Sequence, residues 1–132
     1  MPFVLFLASL SVWSPSTIIN ASPGDSVMLD CRYAAVVNTR QLTVNWFKHH
    51  VDETSFVKTH IWKYIGETGF DRYVGDYTPF YTHPTTLPIR EGHQIILTNA
   101  QNATRYECQV EYGSDSGKTS IHLFVHKGRE IM

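Results

Sequence analysis

The chain has 132 residues, and its 11 Lys and Arg against 12 Asp and Glu leave a formal net charge of −1. That length suits one domain with a single core. The near balance of charge, with no basic stripe and no acidic tail, argues against a nucleic-acid or anionic-membrane partner. Aromatic residues make up 13% of the chain, a supply sufficient for a core and for an exposed contact face.

Residues 1–10 (MPFVLFLASL) are apolar and have no basic start. They read as a signal-peptide remnant or as an extension of the first strand, which should begin near Ser11 or Val12. No run reaches the roughly 18 apolar residues of a membrane-spanning helix. From there onward, short alternating segments broken by turn residues recur, the pattern of an all-β chain.

Ser22-Pro23-Gly24-Asp25 is a turn signal, and residues 26–33 then place Val27, Leu29 and Cys31 on one face. Residues 42–49 form the next strand, with Val44 and Trp46 inward, and 60–65 and 70–73 come after it. The stretch 80–89 is a weak strand, interrupted by Pro84 and Pro88 as only an edge strand tolerates. Residues 93–100 turn Ile95, Leu97 and Ala100 inward, and 106–112 make another strand. A turn over 113–117 leads into a last strand, 118–126, with Ile121, Leu123 and Val125 inward.

Cys31, Trp46 and the run Tyr106-Glu107-Cys108, together with Gly24-x-x-Val27-x-Leu29-x-Cys31, resemble the variable-type (V-set) domains of the immunoglobulin superfamily. The resemblance spans about 12–125. It implies an all-β, immunoglobulin-like V-set β-sandwich over 11–127, with two antiparallel sheets in Greek-key order and a tail at 128–132. Two lone cysteines leave free thiols open as an alternative; the resemblance implies a Cys31–Cys108 disulfide packed on Trp46. It also implies core positions for Leu29 and Leu97, and a Tyr106 hydroxyl bonded to backbone at a strand corner.

Two departures qualify the match. The usual Arg–Asp bridge of V-set domains lacks both halves, with Asn102 at the acidic position and Tyr81-Thr82-His83 at the basic one. His49 stands where antigen receptors carry Gln, and only Gly117 remains of their glycine bulge. A rearranging antigen-receptor domain is therefore excluded by motif.

Strand alternation puts the residues between inward positions on the opposite face. On that outer face it expects Asn45, Phe47 and His49, then His60, Trp62 and Tyr64, then Glu107, Gln109 and Glu111, and finally His122 and Phe124. The resemblance makes these strands neighbours, so they should form one aromatic surface with a polar rim, the composition of a protein interface. A one-residue shift of parity in 60–65 would instead bury Trp62 and expose Ile61 and Ile65. His49, His50, His60 and His122 suggest metal ligation, but adjacent strand histidines point apart and no short-spaced ligand motif occurs, so no metal is expected. Such histidines would make partner binding sensitive between about pH 5 and 7.

No hydrolase elbow, P-loop, dinucleotide fingerprint or zinc-protease motif is present. Neither catalysis nor a cofactor is expected. Asn102-Ala103-Thr104 and Asn20-Ala21-Ser22 are glycosylation sequons, the second adjoining Pro23. The expectation is an extracellular recognition domain, secreted or cut from a membrane protein with a downstream anchor, that binds another immunoglobulin-like surface domain. The alternatives are a homophilic adhesion domain forming a homodimer, a secreted or viral decoy, or a small-ligand or glycan binder acting through the loops 34–40 and 113–117.

Overall fold

The computed structural model describes residues 9–52, 55–75, 80–84 and 86–127. Its strands are β1 (Ser11–Trp13), β2 (Ile18–Ala21), β3 (Val27–Ala34), β4 (Leu42–Asp52), β5 (Ser55–Ile65), β6 (Phe70–Tyr73), β7 (Tyr81–Thr82), β8 (Gly92–Leu97), β9 (Thr104–Tyr112) and β10 (Asp115–Val125). One sheet has the order β1-β3-β8-β7 and the other β2-β10-β9-β4-β5-β6. Among the described residues no helix is long and apolar enough to cross a membrane.

The two sheets form a sandwich because alternate residues of each strand are apolar. In β3, Val27, Leu29, Cys31 and Tyr33 are buried, while Met28 and Ala34 face outward and are exposed. Ile95 and Leu97 of β8 lie beside them in the same sheet, and Leu42, Val44 and Trp46 of β4, Tyr106 and Val110 of β9 and Leu123 of β10 meet them from the other sheet. Each large side chain buried this way contributes about 1.5–3 kcal/mol. Cys31 and Cys108 are fully buried and joined by a disulfide across the layers. Closing a loop with a sequence separation of 77 restricts the unfolded chain by roughly 4 kcal/mol on the entropic model.

Several expectations need correction. The sheets are not wholly antiparallel, since β2 runs parallel to β10, with His122 opposite Ile18. The first strand is broken at Ser14-Pro15-Ser16, where Ser14 bonds to Ser16 backbone atoms. Its halves therefore join different sheets, β1 pairing with β3. The weak strand expected over 80–89 shrinks to Tyr81–Thr82. The last strand begins earlier than expected, because Gly113 takes a φ of 61° and the β9–β10 turn needs only two residues. Gly117 then lies within β10, where a Cβ would come within 2.7 Å of Val12 Cγ2. The Tyr106 hydroxyl does not bond to backbone; it pairs with the Tyr81 hydroxyl at 3.0 Å. The segment 1–8 and the whole tail at 128–132 fall outside the described residues.

Candidate functional site

The outer face of the six-stranded sheet depends on one irregularity in β5. Trp46 pairs with Trp62, yet the next residue, Phe47, pairs with His60, so Ile61 is an extra residue in a β-bulge. A bulge breaks the two-residue alternation and re-aims the side chains beyond it. His60 consequently faces outward and stacks on Phe47, with ring centroids 4.8 Å apart. Trp62 and Tyr64 face inward, against expectation. Trp62 is 7% exposed and Ile61 2%, so the bulge buries both of the residues that either parity would have separated. Ile65, opposite Thr43, returns to the outer side.

The expected outer-face set thus divides. Phe47, His49, His60, Gln109, Glu111, His122 and Phe124 share the outer side by register, while Trp62 and Tyr64 leave it. Phe124 is 45% exposed at the β2 edge, beside Asn20 and near Ile18. Phe47 lies in the middle of the sheet, so the aromatics do not merge into one patch. Asn20 and Asn102 are both exposed, and the Asn20 side chain accepts from His126 Nε2 at 2.8 Å. The His50 side chain lies outside the described ones.

Charge on this face is organised as a ladder across three strands. Arg105 donates to His49 Nδ1 at 3.0 Å, which leaves the ring hydrogen on Nε2, and Glu107 Oε1 accepts it at 3.2 Å. The other Glu107 oxygen lies 2.9 Å from Lys58 Nζ. Glu107 was expected in solvent but is buried at 5% exposure, because these long neighbours fold over it. Burial works against its charge, but the Lys58 hydrogen bond and charge, then His49, carry its pKa below the ordinary carboxylate value. Lys58 also sits over the Phe47 ring, 4.1 Å from its centroid. His60 Nε2 is buried without a hydrogen-bond partner, and burial lowers the pKa of its ring, with Lys63 adding to the effect.

On the inner side of the same strands lies a polar cluster that sequence reading missed. Asp71 Oδ1 accepts from Trp62 Nε1 at 2.6 Å and from His93 Nε2 at 3.0 Å, and its Oδ2 lies 3.3 Å from His83 Nε2. The His83 and His93 rings stack with centroids 4.5 Å apart. Hydrogen-bond directions decide the protons here. Trp46 donates to His93 Nδ1 at 3.1 Å, so the His93 hydrogen sits on Nε2. His83 Nδ1 faces the Gln94 carbonyl at 2.7 Å and must donate to it.

Asp71, His83 and His93 bring their ligand atoms within 4.8 Å of one another, close enough for a cation. The chemistry opposes ligation through His93. A metal-bound imidazole passes its other N–H to an acceptor, whereas His93 Nδ1 accepts from Trp46 and its Nε2 holds a hydrogen. The cluster instead ties β6 of one sheet to β8 of the other. Burial pushes the His93 pKa down. Burial also opposes the Asp71 charge, but hydrogen bonds from His93 and Trp62 outweigh it and hold its pKa below the usual value. Only the single Asp71 within a short strand could have hinted at this cluster, since its partners come from three other segments.

At the opposite end, a cavity of about 190 Å³ is lined by Lys48, Phe80, Tyr81, Leu97, Asn102 and Tyr106. The paired hydroxyls of Tyr81 and Tyr106 belong to its lining. Compared with known proteins, the chain matches no family model and no curated protein.

Proposed function

We propose that this chain is a variable-type immunoglobulin domain acting outside the cell, and that it binds another protein through the outer face of its six-stranded sheet without catalysing a reaction. The observation that carries the reading is that face. It presents Phe47 stacked on His60, a fixed Arg105–His49–Glu107–Lys58 ladder, and an exposed Phe124 at its edge. Rigid aromatics framed by charges are what protein recognition surfaces use.

Several features support the family reading. The two-sheet sandwich, the β5 and β6 additions beside β4, and the disulfide against Trp46 agree with the motif. A buried disulfide favours an oxidising compartment.

The test is a screen of the multimerised domain against arrayed cell-surface ectodomains, and then Phe124→Ala and Phe47→Ala. Trp62→Ala is unsuitable because the indole is in the core. Loss of about 2 kcal/mol of affinity in either variant, with the fold intact, fits a hot spot on this face. Full binding by both variants would remove the face from consideration.

A further inference from the structure

We infer that the outer face docks an acidic protein surface, and that a second copy of this chain is the wrong partner for it; this rests on the proposed recognition role of that face. Register places Lys58 and Lys63 of β5, Arg72 of β6, Arg105 of β9 and Lys118 of β10 on the outer side. Among the described side chains of these strands, the carboxylates sharing that side are Glu107 and Glu111. Five cations face two anions among these strand residues. The remaining described side chains are nearly balanced, Arg32, Arg40, Lys48, Arg90 and Lys127 against Asp25, Asp30, Glu67, Asp71, Glu91 and Asp115, so the positive excess of the described side chains lies on this sheet.

The cations are also held in place. Lys58 is fixed between Glu107 and the Phe47 ring, and Arg72 lies 5.4 Å from the Phe70 centroid. Along β5 and β6 the outer side carries Lys58, His60, Lys63, Ile65, Phe70 and Arg72, with no carboxylate among them. Fixed cations beside flat apolar rings suit carboxylate side chains whose methylenes rest on the rings. Complementary charge speeds encounter, and like charge brought face to face is penalised. Two copies meeting through this surface would oppose positive with positive. A sulfated polysaccharide is a poorer match than an acidic polypeptide, because it has no methylene stems to rest on the rings beside Lys58 and Arg72.

The experiment uses the full chain, isotope-labelled, with two probes: a glutamate oligomer and a heparin oligosaccharide. The glutamate oligomer should shift amide signals of β4, β5 and β6 around Lys63 and Arg72, and about 0.5 M salt should abolish the response by screening. Lys63→Glu combined with Arg72→Glu should weaken it about tenfold while leaving the remaining spectrum unchanged. No response, or a response centred elsewhere, overturns the inference. Tighter binding of heparin at the same residues overturns the protein assignment. Sedimentation should show a monomer across a concentration series; a dimer broken by the charge-reversed variant overturns the exclusion of self. A partner from the ectodomain screen that docks on this face with salt-independent affinity would defeat the acidic inference and leave the recognition role standing.

Discussion

On the outer side of β5, Lys58 neutralises Glu107 in a ladder whose rim meets water; on the inner side, Trp62 donates to Asp71 between the sheets. The two regions hold similar numbers of ionisable groups and treat them differently. Outside, Glu107 is buried but Lys58 reaches the rim at 39% exposure, so water screens part of the ladder and it adds less to stability than a fully enclosed pair. Inside, water is excluded, so each donor to Asp71 must be in place or a buried charge is stranded. One side reaches water at its rim and the other locks the two sheets together.

That contrast can be broken from its stronger side first. Trp62→Ala should cost about 3–5 kcal/mol in chemical denaturation, as for a buried aromatic in a core. A change near zero would mean that the indole points to solvent and the bulge is misplaced. Asp71→Asn comes next. It removes the charge that receives Trp62 and His93, and should cost about 2 kcal/mol, with amide exchange quickening in β6.

The buried side should also respond to acid. His93 has a folded pKa below its unfolded value of about 6.5. As pH falls through about 6.5 the unfolded chain takes up a proton that the folded chain refuses, so stability drops. His60, lowered in the same direction, adds to the loss. Asp71 and Glu107, both depressed, extend it below about pH 4 as they are protonated. Denaturation midpoints at pH 7.5 and 5.5 that coincide would show that the cluster carries no such penalty.

The outer side should respond least. Glu107→Gln loses the charge that pairs with Lys58 while keeping an acceptor for His49, and should cost about 1 kcal/mol. Lys63→Glu should stay within about 0.5 kcal/mol, while altering any salt-dependent association. A large loss of stability from Lys63→Glu would erase the distinction between the faces.

Local sequence was sufficient for the strands with strict alternation. In β3 the apolar residues recur every second position and burial tracks them residue by residue; β4 and β9 keep the same alternation of apolar residues at Leu42, Val44 and Trp46 and at Tyr106, Cys108 and Val110, but Asn45 and Glu107 between them are buried as well. Phe70–Tyr73 was expected from the resemblance and not from alternation, since Phe70 faces outward and Asp71 inward. The two cysteines around Trp46 anticipated the link between layers. The candidate face was legible where alternation held, at Phe47, His49, Gln109, Glu111, His122 and Phe124. It failed at Trp62 and Tyr64, because a bulge is a property of two paired strands and β5 alone carries no mark of it.

By itself, then, the order of residues determined that this chain makes short amphipathic strands and that its charge is nearly balanced; that two sulfurs meet beneath an indole was implied only through the resemblance. Only the tertiary structure decided which side of β5 faces water, how the cations gather on one sheet, and that Asp71, His83 and His93 meet. Alternation is a local consequence of backbone geometry, readable two residues at a time. Register, bulges and clusters drawn from distant segments depend on which strands pair, and no local pattern encodes that choice.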